Sequence, residues 1–278
     1  MSPLSAILLG IIQGVAEFLP ISSSGHLSIF QNFFNMQTSE DGHLFFDVLL
    51  HLATLIAVCF FYRKDIKEII SESVSYIKGI GHPQPGGTKS YPKVRLLMMM
   101  VVATLPLFIV LPLQGSIEKL YYNTAFIGIA LIVTGFVLFI SDRFVAGNRN
   151  EKTMSVKNAL VVGVCQAVAT LPGISRSGVT ITAGIAGGLN RDFAVKFSFL
   201  ISIPAVLGAN IISLVKSIGD GFDTSLLPVY LLGMLVAMVT GYFALRLVRY
   251  ICNKGKFGAF SYYCWAVGLI TIILTIVL

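Results

Sequence analysis

Glu17 stands four residues after Gln13 in the stretch QGVAEFLPISSSGH, a spacing that puts both side chains on one face of a helix. The surrounding residues are apolar, and a carboxylate at membrane depth costs several kcal/mol unless it lines a polar cavity. Glu17 is therefore a functional candidate by default, with Gln13 beside it. The run Ser22-Ser23-Ser24-Gly25-His26 follows Pro20, which disfavours helical geometry in the residue before it, and a serine can cap the apolar helix that follows. A helix start presents unpaired N–H groups and partial positive charge, so this break suits an anion. A second break reads Pro172-Gly173-Ile174-Ser175-Arg176-Ser177-Gly178-Val179-Thr180. An arginine among hydroxyls and glycines at a helix start has the bidentate donors that a phosphate oxyanion needs. Asp47 and His51 form another i,i+4 pair, equally readable as support for a site or as a polar helix entry.

The elements that must position these residues are apolar helices. Of 278 residues 55% are hydrophobic and 12% charged, with mean hydropathy +0.84, against about 25% charged residues in a soluble domain. That excludes an ordinary soluble protein and a disordered one. Six segments, roughly 43–62, 93–113, 122–141, 192–215, 226–248 and 260–278, are long enough to cross a hydrocarbon core of about 30 Å. Residues 4–19 and 21–34, and again 156–171 and 174–188, make shorter helices broken at the Pro, Gly and Ser clusters, which predicts two re-entrant hairpins, 4–34 and 156–188. A shift of 153 places pairs Gly10, Gln13, Val15, Ala16, Ile21, Ser22, Ser24 and Gly25 with identical residues, eight of the 17 positions 10–26. The shift also pairs Ser23 with Arg176. The chain reads as an all-α polytopic membrane protein built by duplication, with repeat units 1–141 and 142–278.

One hairpin and three crossings per half would make the second half enter the membrane upside down, an inverted-topology repeat. Loop charge agrees: Arg63, Lys64, Lys67, Lys78, Lys89, Lys93, Arg143, Arg149, Lys152, Lys157, Arg191, Arg249, Lys254 and Lys256 would share one side, against Lys119 and Lys216 on the other. By the positive-inside rule the first side is cytoplasmic and both termini are extracytoplasmic. Such repeats place their site near the midplane, where the breaks meet. The net charge of +7 is then loop charge, and nucleic acid is not an expected partner. The loop 63–92 reads as a charged surface helix and a linker, with His82 solvated. Cys59, Cys165, Cys252 and Cys264 lie in or beside apolar stretches without a CxxC pair, so packing is expected of them. The N-terminus lacks the basic start of a signal peptide and is expected to stay in the mature protein.

QGVAEFLPISSSGH and PGISRSGVT resemble the two signature stretches of the undecaprenyl-diphosphate phosphatase family, also called bacitracin-resistance proteins, and length, hydropathy and duplication are similar over the whole chain. The resemblance implies a multi-pass enzyme of the bacterial cytoplasmic membrane. Its polyprenyl diphosphate lipid substrate would be cut to the monophosphate and inorganic phosphate, with a divalent cation, Mg²⁺ or Ca²⁺; a homodimer is one assembly open to it. Residue by residue, the family's acidic motif falls on Gln13 and Glu17, its Ser and His on Ser23 and His26, and its Arg on Arg176. Glu17 would be the metal-holding carboxylate, and Gln at position 13 leaves one carboxylate. Some relatives resemble YR where this chain has Tyr263-Cys264. Glu17, Ser23, His26 and Arg176 are thus the expected catalytic set, and Gln13, Ser22, Ser24, Gly25, Ser175, Ser177 and Thr180 the expected substrate contacts. The attacking group stays open among Ser23, His26 and a Glu17-bound water. The rival reading is a transporter or flippase for a phosphorylated lipid or anion, since inverted repeats with midplane breaks are a transporter architecture.

Overall fold

A computed structural model describes residues 1–33, 40–79, 91–220 and 224–277. In chain order its helices are α1 (Pro3–Phe18), α2 (Ser23–Phe33), α3 (Glu40–Phe61), α4 (Arg63–Ile77), α5 (Pro92–Thr104), α6 (Leu107–Val110), α7 (Gln114–Leu120), α8 (Thr124–Ser141), α9 (Val156–Val168), α10 (Arg176–Ala186), α11 (Arg191–Asp220), α12 (Leu227–Asn253) and α13 (Phe260–Val277). Among the described residues there is no strand, only one isolated bridge between Arg149 and Leu189. Among the described residues five helical segments are long and apolar enough to cross a membrane, or six when α3 and α4, bent by 74° at Tyr62, count as one. Large apolar side chains such as Phe108, Ile109, Leu231 and Ile276 stand more than half exposed on these segments, which water would penalise and lipid does not. The protein is a polytopic membrane protein.

The expected crossing 93–113 is not one helix. It breaks after Thr104, before Pro106, and passes through α6 and a 3₁₀ turn at Leu111–Leu113 into α7. Proline lacks the N–H and clashes with the preceding turn, and Pro106 and Pro112 impose this twice; hydropathy averages over the break. Helix α4 occupies the start of the 63–92 loop as expected, while the Pro/Gly-rich turn and His82 lie outside the described residues.

The two short helix pairs start in register with the shift of 153 places. Ser2 caps α1 through Ser5 N, and Ser155, 153 places on, caps α9 through Asn158 N. The second helices α2 and α10 each span 11 residues, from Ser23 and from its repeat partner Arg176. Helix α1 lies on α12 and α9 on α5. A Cβ on Gly10 would sit 2.5 Å from the Gly233 carbonyl oxygen, and one on the repeat partner Gly163 would collide with Ala103. Small residues let membrane helices approach this closely, and on α1 that approach fixes the helix that carries Glu17.

One end of the bundle is laced by charge. Lys93 Nζ lies 3.0 Å from both Glu68 and Glu151, and Lys196 Nζ lies 2.8 Å from Asp65 and 3.3 Å from Glu151. Burial, the largest influence on Glu151, pushes its carboxyl up, but the two lysines together hold it below the ordinary range. Glu72 accepts the backbone N–H groups of Lys93 and Val94, closing the start of α5. This lattice ties α4 to α5 and α11.

Candidate active site

Glu17 is buried near the C-terminal end of α1, and four side chains converge on it. Arg176 Nη2 donates to Oε1. Ser23 Oγ donates to Oε2 at 2.6 Å, Gln13 Nε2 donates to the same oxygen at 3.1 Å, and His51 Nε2 lies 3.7 Å from it. A 2.6 Å O–H···O⁻ bond is in the charge-assisted range. Residues from α1, α2, α3 and α10 thus share one carboxylate. Arg176 Nη1 is buried without a hydrogen-bond partner among the described residues, as is Gln13 Oε1; one is a donor and the other an acceptor for a bound group.

The two breaks are built alike. Ser22 Oγ accepts from Gly25 N at 3.3 Å and Ser175 Oγ from Gly178 N at 3.1 Å. Ser22 and Ser24 hydroxyls lie 3.3 Å apart, as do those of Ser175 and Ser177. The N–H groups of Ser23, Ser24, Arg176 and Ser177, in the first turns of α2 and α10, have no acceptor within their helices. The breaks also touch: Ser177 Oγ donates to the Leu19 carbonyl, and a Cβ on Gly25 would lie 3.1 Å from Gly173 Cα. Two helix starts, each favourable to negative charge, therefore meet around the Glu17–Arg176 pair. Gly173, at φ +91°, turns the second break; in the first a serine, Ser22, takes φ +70°, a conformation that strains a residue with a Cβ. Thr134 of α8 pins the second break by donating to the Gly173 carbonyl and accepting from Ser175 N.

His26 points elsewhere. Its Nδ1 is 2.8 Å from the Ser22 carbonyl, which can only accept, so Nδ1 carries the proton; Nε2, 2.8 Å from the Tyr263 hydroxyl, then accepts from it. The two rings stack with centroids 5.6 Å apart. Both imidazole nitrogens are engaged, neither by Ser23 nor by Glu17. Thr180 is also turned away: its hydroxyl lies 2.7 Å from the Arg176 carbonyl and 2.6 Å from Ser198 Oγ on α11, where it braces α10 beneath Arg176. Of the pair Asp47 and His51, the sequence left support for a site and a polar helix entry equally open. His51 joins the site, its Nδ1 donating to the Asp47 carbonyl, while both oxygens of the Asp47 carboxylate accept from Gln31 Nε2. Tyr263 lies 237 residues from His26; the Tyr263-Cys264 pair was the one signal pointing to it.

Among the described residues no three His, Cys, Asp or Glu side chains gather into a metal cage. The oxygen donors that do gather are Glu17, Ser23 and the unpartnered Gln13 Oε1, a hard-oxygen set of the kind that Mg²⁺ or Ca²⁺ takes.

The family model described as bacitracin resistance protein BacA matches residues 6–270. A protein named undecaprenyl-diphosphatase from Methanosphaera stadtmanae is 41% identical, with 99% of each chain covered. Proteins of the same name from Methanobrevibacter smithii, 41% identical over 97% of this chain and 96% of the relative, and from Carboxydothermus hydrogenoformans, 36% over 99% and 98%, are similar along their whole length.

Proposed function

The chain belongs to the BacA family of bacitracin-resistance proteins, and from that premise we propose how the Glu17 site works as an undecaprenyl-diphosphatase, which hydrolyses undecaprenyl diphosphate to undecaprenyl phosphate and inorganic phosphate and so returns the cell-wall lipid carrier. The observation that carries the mechanism is the 2.6 Å bond from Ser23 Oγ to Glu17 Oε2, with Arg176 on the other carboxylate oxygen. A serine hydroxyl is a weak nucleophile until a neighbouring base takes its proton, and Glu17 is that base. Ser23 Oγ attacks the terminal phosphorus in line, its proton passes to Glu17, and the bond from phosphorus to the bridging oxygen breaks as undecaprenyl phosphate leaves. Arg176 Nη1 and the first-turn N–H groups of α2 and α10 hold the non-bridging oxygens, where charge builds. Water then attacks the phosphoserine phosphorus, the P–Oγ bond breaks as Glu17 returns its proton to Ser23 Oγ, and the protons of the water leave with inorganic phosphate. His51, 3.7 Å from the carboxylate, closes the cluster from the α3 side. His26 positions the break through the Ser22 carbonyl.

Gln13 and Glu17 would hold a divalent cation by oxygen, leaving most of its coordination to substrate phosphate and water as Mg²⁺ prefers; when bound it would add positive charge at the phosphate. Hydrolysis by purified protein in detergent, followed as inorganic phosphate release across metals, tests the reading. Phosphate release without a membrane gradient excludes pure transport, and its absence with every metal would return the transporter reading.

The inverted repeat belongs to the same proposal. The supports are the common 153-residue register of α1/α2 and α9/α10 and their exchange of partners, α1 on α12 of the other half and α9 on α5. With α1/α2 and α9/α10 as re-entrant hairpins, six crossings put both termini outside. Cysteines introduced into 142–155 should then resist an impermeant thiol reagent applied from outside, and ready labelling there would reverse the orientation.

A further inference from the structure

Helix α4 leaves the end of α3 at an angle of 74°, so it runs across the direction of the span rather than continuing it. Its charges are sorted by face. Asp65, Glu68 and Glu72 are all taken up by α5, α11 and their lysines. Arg63 and Lys67 lie on a different face, exposed, and among the described residues neither makes an ion pair. Four apart, they share that face with Ile66, Ile70 and Val74, of which Ile70 is 58% exposed. Cys59 of α3 and Arg63, Ile66, Lys67, Ile70 and Ser71 of α4 line an open groove of about 400 Å³ in the angle between α3 and α4. The Arg63 guanidinium is held at its mouth, 4.8 Å over the Phe60 ring with Nη1 donating to the Phe60 carbonyl, and its remaining donors are left for another acceptor.

A cationic rim over an apolar floor, on a helix lying across the end of a membrane span, is complementary to one kind of molecule: an anionic head on an apolar chain. We propose that this groove binds an anionic diacyl phospholipid of the leaflet that α4 faces, its phosphate between Arg63 and Lys67 and an acyl chain along Ile66, Ile70 and Cys59. The exposed apolar residues of α4 then rest in the same leaflet, as amphipathic interfacial helices do, and the acidic residues facing α5 and α11 keep the basic pair free for the lipid. The site is separate from the Glu17 centre, and bound lipid would fix the angle of α4 against the bundle.

The test is lipid retention by the purified full chain in detergent, read by native mass spectrometry after exchange with phosphatidylglycerol or with phosphatidylcholine of the same chain length. The wild-type protein should keep phosphatidylglycerol in preference. R63Q/K67Q should retain it about thirtyfold less, since each basic residue near a lipid surface contributes roughly a fivefold attraction. K64Q/K78Q removes the same net charge outside the groove and should match the wild type. Both double variants should hydrolyse substrate in detergent as the wild type does, which shows that they fold. If R63Q/K67Q fails to fold, Lys67→Gln alone carries the reading, with a loss of about fivefold. Equal retention of the two lipids by the wild type, unchanged retention in the groove variant, or an equal loss in both double variants would overturn the proposal, the last by showing diffuse attraction rather than a site.

Discussion

The hairpin α1/α2 and the hairpin α9/α10 share a frame and differ in what they carry. Both begin at a capping serine, Ser2 or Ser155, both restart at a serine that caps a glycine N–H, and both set a second hydroxyl 3.3 Å from that cap. At the positions in between the residues part company: Glu17 is matched by Thr170, Ser23 by Arg176 and His26 by Val179. One copy brings the acid–hydroxyl pair and the other the guanidinium, and the carboxylate in the middle is shared. On the duplication proposed above, two like helix starts that favour an anion would have been copied, and substitution at a few positions would then have divided the chemistry between them. The frames differ at the turn: the second break turns on a glycine at φ +91° and the first on a serine at φ +70°. The strained residue is on the side that carries Ser23, and its carbonyl holds His26.

Breaking the catalytic half of the comparison should have the largest effect. Ser23→Ala removes the attacking oxygen and leaves the frame, so phosphate release at saturating metal should fall by about a thousandfold or more; activity within tenfold of wild type would take the attack away from Ser23. On the other hairpin Arg176→Lys keeps the charge but loses the planar fork, and loss of one stabilising donor set typically costs about a hundredfold in turnover. A near-normal rate in that protein would leave Arg176 as a structural partner of Glu17 and nothing more. The frame itself is symmetric and should answer symmetrically: Ser22→Ala and Ser175→Ala each lose a cap, about 1 kcal/mol in stability. Thermal or denaturant unfolding of the two variants in one detergent checks this. A much larger loss for one of them would show that the two breaks are not equivalent supports.

The breaks were legible in the sequence because ionisable and hydroxyl residues are conspicuous against an apolar background, and because the repeat aligns Ser23 with Arg176 without any structure. The structure brings Gln13, Glu17, Ser23 and Arg176 into one cluster. What was not legible depends on which helix faces which. His51 reads the same from sequence whether it enters a helix or reaches a carboxylate; the close approach of α1 to α12 and the packing of α3 against both decide it. The contact of His26 with Tyr263 joins opposite ends of the chain and has no local pattern. Thr180 lies near the right helix start, but it is one turn in, where its hydroxyl reaches back to the Arg176 carbonyl and across to Ser198. The kinked segment at Pro106 was concealed by apolar residues on both sides, since the missing hydrogen bond leaves no trace in hydropathy.

The central claim is that Ser23 attacks phosphorus while Glu17 takes its proton. Rapid acid quench of the wild-type enzyme turning over undecaprenyl diphosphate labelled in its terminal phosphate, followed by peptide mapping, tests it most directly. The label should be found as acid-stable phosphoserine at Ser23. Recovery on His26 as an acid-labile phosphoramidate, or steady hydrolysis with no labelled enzyme at any quench time, would contradict it.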